Sequence, residues 1–293
     1  FDALQGGETL TLSGSGTSAS ANVANGIAMS SNGDLALVDG TGLASNYSLN
    51  STVINITQRI LNSSGSKFYD ANTNALDADI SLSNLVSGEL LNHSGTATIS
   101  SANAGSYTIT NLAGISLADN TGLASNYTLT GGTHNFTVNP KVISLSGTRL
   151  YDATTNAVAS DLTTISGRVG AETLNLSGTG TLSDANVAPN KTVGLGTLAL
   201  GDGTGLASNY TLSGGTHQLT VDKRPLAATI ARQYDGTKTV AGSDLSSFDA
   251  LQGGETLTLS GSGTVGDENV ANGQGVTLGT LALVDGTGLA SNY

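Results

Sequence analysis

The stretch NYTLSGGTHQLTV, residues 209–221, alternates apolar and polar side chains but changes phase halfway along. Tyr210 and Leu212 share one parity, while Leu219 and Val221 fall on the other. A period of two is that of a half-buried strand, and no helical stripe can be drawn through these residues. Between the halves, Gly214 and Gly215 predict a bulge or tight bend that returns the second half to the inward face. The same slip separates Tyr127 and Leu129 from Phe136 and Val138, so it belongs to a repeating unit.

Outward from that stretch the repetition becomes explicit. The letters GLASNY end at Tyr47, Tyr127, Tyr210 and Tyr293, at intervals of 80, 83 and 83 residues. A second landmark fixes the phase: KFYDANTNA with Tyr69, RLYDATTNA with Tyr151 and RQYDGTKTV with Tyr234. Such a period is too long for a solenoid rung and suits one small domain. Leu10 and Leu12 in ETLTL, and Ile143 and Leu145 in VISLS, alternate with polar neighbours. Thr, Val, Ile and Leu fill these runs and Gly, Asn, Asp and Ser punctuate them, as strands and turns require.

One segment admits a short helix, AGSDLSSFDALQGGE at 241–255. Ser243 or Asp244 could cap it, and Leu245, Phe248 and Leu251 recur at i, i+3, i+6. An Ig-like sandwich and a β-grasp-like module both fit the strand pattern, and this helix separates them. The expected fold class is all-β: a tandem array of small β modules arranged as an elongated rod.

Cutting at the charged joints gives a partial repeat at 1–57, modules at 58–140 and 141–223, and a repeat lacking its last strand at 224–293. The joints TVNPKVI and TVDKRPL are short and carry Pro140 and Pro225, which predicts stiff connections. Residues 1–17 recur letter for letter at 248–264, and 35–47 recur at 281–293. Duplication of a multi-module block explains this, and divergence between neighbours limits cross-pairing during folding. The chain opens on FDALQGGETL, without Met, and reads as an internal piece of something longer.

Composition narrows the function. Of 293 residues, 38% are hydrophobic but only 4% aromatic, so the cores are thin; 40 residues are Gly. The net charge of −12 leaves an acidic surface that repels nucleic acid and anionic lipid. Cysteine is absent, which excludes disulfides, Cys-ligated zinc and thiol nucleophiles. No apolar run approaches the roughly 18 residues of a membrane helix, so membrane insertion is not expected.

The recurring polar residues are the chain's candidates for chemistry. Asp39, Asp119, Asp202 and Asp285 precede Gly42, Gly122, Gly205 and Gly288 by three residues. An Asx-type turn accounts for them, with the carboxylate on backbone N–H groups and Gly at positive φ. Calcium is the alternative, since Asp suits a hard cation, but one Asp per loop falls short of its oxygen count. Asp184, Asp267 and Glu268 could add ligands, yet the corresponding positions elsewhere read SASANV and ISSANA. No cofactor is therefore expected. The tyrosines of SNY and YD read as core and corner residues, the former with the hydroxyl on a backbone partner. His134 and His217 occupy equivalent positions where the first repeat has Ile54, which is unlike an acid or base. No catalytic triad, paired-carboxylate pocket, phosphate loop or metalloprotease motif is present, and an enzyme is not expected.

With these landmarks the chain resembles the YDG and related MBG repeats of large exported bacterial surface proteins, including filamentous-haemagglutinin-type adhesins. The resemblance rests on Tyr-Asp at Tyr69, Tyr151 and Tyr234, on SNYTL followed by GGTHQLTV, and on NAGSYTI at 103–109. Gly236 completes YDG only in the last repeat; the other two read YDA. The resemblance implies an extracellular, two-partner-secreted stalk that projects a binding region. Its partners would be flanking repeats of the same polypeptide and a host or neighbouring cell surface. At ~3.4 Å per strand residue, modules placed end to end would span about 100 Å. Two other readings remain: repeats that themselves bind polysaccharide or like repeats in a biofilm, and a calcium-stiffened array.

Overall fold

The computed structural model describes residues 4–50 and 52–293. The first three letters of the duplicated opening block, and Ser51, lie outside the described residues. Two compact units emerge, one ending at Asn139 and the other spanning Pro140–Tyr293. Both are all-β, and the helical turns among the described residues are three-residue 3-10 turns.

In the first unit, the opening strand of the complete repeat, Asn62–Phe68, runs parallel to its closing strand, His134–Asn139, with Phe136 opposite Gly65. Around this pair the sheet runs Ile115–Ala118, Asn92–Ile99, Gly105–Asn111, closing strand, opening strand, Ile80–Ser83. Close packing explains Gly65: a Cβ there would lie 2.7 Å from the Phe136 ring. Phe136, Val138, Leu61, Ile99 and Ala97 form the centre of the core. Residues before this repeat pair Leu10–Ser13 with Ala36–Asp39, and Val53–Ile56 with Ala24–Ser31.

The second unit repeats the plan. Ser144–Leu150 runs parallel to His217–Asp222, flanked by Thr164–Ser166 and Ala188–Thr192. Ile143, Leu145, Leu162, Leu219 and Val221 are its most buried large apolar residues. A parallel pair of opening and closing strands, with further strands on both sides, thus recurs in both units.

The phase slip of residues 209–221 is a bend between two short strands. Tyr210–Thr211 pairs parallel with Lys141–Val142, and His217–Asp222 pairs with the continuing opening strand. Gly214 makes the bend at φ +83°, and Gly215 lies so near the Ile143 carbonyl that a Cβ would stand 2.0 Å from it. Tyr210, Leu212, Leu219 and Val221 thereby all face inward and are buried. His134 and His217 brace this bend: each Nε2–H donates to a carbonyl, of Leu129 and Leu212 respectively, at 2.8 Å.

The candidate helix at 241–255 is not formed. Gly242–Asp244 is a single 3-10 turn, and Leu245–Phe248 is a strand antiparallel to Ala228–Ile230. Neither Ser243 nor Asp244 caps a helix; Asp244 instead accepts the Ala241 N–H at 2.8 Å. The spacing of Leu245 and Phe248 misleads because pairing with the opening strand satisfies the backbone, and Gly, Ser and Asp around them carry little helix preference.

Candidate functional site

The recurring GLASNY word builds one corner four times. Its Ala-Ser-Asn forms a 3-10 turn, and the Asp five residues before that turn's first N–H accepts it. The four bonds are Ala44 to Asp39 at 2.6 Å, and Ala124 to Asp119, Ala207 to Asp202 and Ala290 to Asp285 at 2.7 Å. The intervening Thr hydroxyl receives a backbone N–H from the facing strand, as Thr9 donates to Thr41 and Thr256 to Thr287, both at 2.8 Å.

The tyrosine closes each corner, and here the sequence reading missed a partner. Tyr47 donates its hydroxyl to Glu8 and Tyr293 to Glu255, each at 2.6 Å; Tyr127 and Tyr210 donate to Glu89 and Glu172. The same hydroxyls accept backbone N–H groups of Gln5, Val86, Val169 and Gln252 at 3.0–3.2 Å. Expectation supplied only the backbone partner. The signal was available: in a chain with few charges, a Glu stands 38 or 39 residues before each SNY tyrosine.

The glycines of these corners also need correction. Gly42, Gly122, Gly205 and Gly288 do not adopt positive φ. They are small because the glutamate packs on them: a Cβ on Gly205 would lie 2.4 Å from Glu172 Oε2, and on Gly122 2.6 Å from Glu89 Oε2.

The Tyr-Asp landmark is a second corner. Tyr69 and Tyr151 end the opening strands, buried, and their N–H groups donate to Asn139 and Asp222 of the closing strands at 2.9 and 2.8 Å. Asp70, Asp152 and Asp235 turn the chain by accepting the N–H two residues on, and each pairs with a cation three residues earlier: Lys67, Arg149 and Arg232. The Arg232 guanidinium holds the Asp235 carboxyl down at about 2. The residue after Asp is left-handed in every copy: Ala71 at φ +64°, Ala153 at +59° and Gly236 at +73°. Tyr234 departs from its counterparts, being 63% exposed.

In the second unit the two landmarks meet where its repeats join. Within the second unit, Glu255 takes Tyr293 of its own repeat on Oε2 and Tyr151 of the preceding repeat on Oε1, the latter at 2.5 Å. The two rings meet edge to face, 5.3 Å apart at 79°. Burial and then the Glu255 bond push the Tyr151 hydroxyl up to about 12. Asn292, 1% exposed, reaches back to the preceding repeat: its Oδ1 accepts Val187 N–H and its Nδ2 donates to Asn186 Oδ1, both at 3.0 Å. Arg224 N–H donates to the Asn292 carbonyl and Arg224 Nε to that of Tyr151, while Lys223 Nζ reaches the Tyr293 carbonyl. The first unit holds the same asparagine contacts: Asn126 accepts Val23 N–H at 2.9 Å and donates to Asn22 at 3.0 Å.

Four candidate calcium aspartates thus act as turn acceptors, and they are not brought together. Asp184 pairs with Lys191 at 2.5 Å, Glu268 lies 3.6 Å from Lys238, and Asp267 turns the chain at Asn269. Among the described residues no group of three or more His, Asp or Glu side chains is placed to hold a metal ion.

Residues 55–135, 133–220 and 216–293 each match the family model of the YDG domain. No curated protein and no solved structure matches the chain.

Proposed function

Because the chain belongs to the YDG domain family, in tandem copies, we propose that it is a non-enzymatic stalk segment of a bacterial surface or secreted adhesin. On this reading it works outside the cell as a stiff spacer that carries a binding region away from its anchor, and its immediate partners are flanking repeats. One observation supports this reading above the others: the joint between repeats inside the second unit is built of specific bonds, with Glu255 shared between Tyr151 and Tyr293 and with Asn292 seated on Val187. A flexible linker would use none of these. The acidic exterior, at net charge −12, suits neighbouring stalks that must not adhere to each other. The repeated polar residues are occupied in turns and joints, which leaves little chemistry for catalysis.

The test is reach. With the chain displayed between a surface anchor and a reporter, deletion of residues 141–223 lowers the reporter by one module, about 30 Å for strands of eight or nine residues at ~3.4 Å each. An unchanged height contradicts a spacer.

A further inference from the structure

At the Tyr-Asp corner of the first complete repeat, three polar side chains hold one another. The Lys67 side chain is only 8% exposed, and its Nζ donates to Asn72 Oδ1 at 2.9 Å. The same Nζ lies 2.9 Å from Asp70 Oδ1, while Asp70 Oδ2 accepts Asn72 Nδ2–H at 2.9 Å. One carboxylate thus spans the lysine nitrogen and the amide nitrogen. The amide oxygen has a second donor, Asn74 N–H at 2.9 Å. These bonds fix which end of the Asn72 amide is oxygen, since a carboxylate only accepts and a backbone N–H only donates. Lys67 Nζ is held in place by the carbonyls of Asn72 and Asn74, at 2.9 and 2.7 Å.

The other two copies of the corner keep the turn and change the groups. Arg149 stands in the place of Lys67, donating to the Thr154 and Asn156 carbonyls and to Asp152, and Thr154 stands in the place of Asn72. In the last repeat the three residues are Arg232, Asp235 and Thr237. A guanidinium keeps its proton and a threonine hydroxyl offers no acyl carbon, so neither of these copies can form a bond there. The turn therefore needs neither lysine nor asparagine. Only the corner at 67–72 combines an amine, an amide and a carboxylate in mutual contact.

Those are the parts of an acyl transfer: a nucleophile, a base touching it, an acyl carbon, and a donor on the oxygen that takes up charge. We propose that Lys67 and Asn72 join in an isopeptide bond, formed within the chain with Asp70 as the proton carrier. Asp70 takes a proton from the Lys67 ammonium, and the neutral amine attacks Asn72 Cγ. Asn74 N–H steadies the charge that develops on Oδ1. A second proton leaves Nζ as the Nζ–Cγ bond is made. Asp70 passes both protons to Nδ2, the Cγ–Nδ2 bond breaks, and ammonium departs. One C–N bond forms and one breaks, with no oxidant, reductant or added reagent. The product locks the corner where the opening strand Asn62–Phe68 ends. The inference stands apart from the stalk role, since the reaction needs only this corner.

The test is the intact mass of the full 293-residue chain, after prolonged incubation in the folded state, followed by unfolding and trypsin digestion. A mass lower by about 17 Da, that of the ammonia lost, is expected. Trypsin should then cut after Arg59 and Lys141 but not after Lys67, leaving residues 60–141 as one fragment. Asp70→Ala should keep the full mass. So should Lys67→Arg and Asn72→Thr, which install the residues of the neighbouring corner and so retain its turn. A full mass in the parent chain overturns the proposal. The lower mass with cleavage after Lys67 intact also overturns it, because an asparagine would then have closed on its own backbone as a succinimide. Undiminished cross-linking in Asp70→Ala overturns it as well.

Discussion

Ala153 holds a backbone angle that suits glycine, φ +59°, and Ala71 does so at +64°. A left-handed L-residue costs about 1–2 kcal/mol, partly offset by the chain entropy that glycine would lose. Ala153→Gly should therefore stabilise the chain by about 0.5–1 kcal/mol, and Gly236→Ala should destabilise it by a similar amount, both read from denaturant midpoints. Both effects of the reverse sign would mean that the third letter of YDG is set by something other than backbone angle. At Gly205 the limit is contact, not angle. Gly205→Ala drives a methyl into Glu172 and should cost about 1–3 kcal/mol, with Tyr210 losing its acceptor. Both tyrosine landmarks and the four aspartates were legible as recurring letters. The glutamates were not, because their partners lie 38 or 39 residues away and nothing local marks the pairing. Positive φ was likewise assigned to Gly42 and its equivalents because letters do not distinguish a glycine needed for its angle from one needed for its size. Tyr151 also bears on pH. Its folded-state proton is held up to about 12, above the ordinary 10.0 of the free side chain. Its contribution is fully present below pH 10 and declines as pH rises through 10 to about 12. Stability measured across that window should fall less steeply in Tyr151→Phe than in the parent chain; identical slopes would contradict the assignment.

Strands were readable from period two, and their inward faces follow from it. Less readable was which strand meets which. The opening and closing strands pair in parallel, with Thr216 N–H on the Ser144 hydroxyl across 72 residues. No turn specifies a contact that distant, so it depends on complementary burial. The helix that the spacing near Leu245 admits does not form for the same reason: a three-residue spacing of apolar side chains carries no mark of the strand that receives it. The glycine pair in the bend separates conformation from contact. Gly214 has φ +83° and open space around it, whereas Gly215 lies against the Ile143 carbonyl. Gly214→Asn, which tolerates the left-handed region, should cost less than about 1 kcal/mol. Gly215→Asn should cost about 1–3 kcal/mol by parting the parallel strands. Thermal unfolding of the two variants checks the ranking, and a reversed order would show that the bend is not built as described.

For the whole molecule, what matters is how repeats are joined. Pro225 and the short joint were visible in the letters, but the clamp across it was not, since Asn292 and Val187 lie 105 residues apart. Both halves of the clamp come from words that looked like internal turn signals. Their aspartates serve backbone N–H groups, so chelation by EDTA should leave Tm unchanged; a fall in Tm would restore calcium as a stiffening ion. Glu255 couples one repeat to the next by serving a tyrosine from each. A double-mutant cycle of Tyr151→Phe and Glu255→Gln in the full chain tests it most directly. A favourable coupling energy of about 0.5–3 kcal/mol is expected, with the second unit unfolding as one transition in the parent. Strictly additive effects, with residues 141–223 and 224–293 unfolding independently in the parent chain, would contradict it.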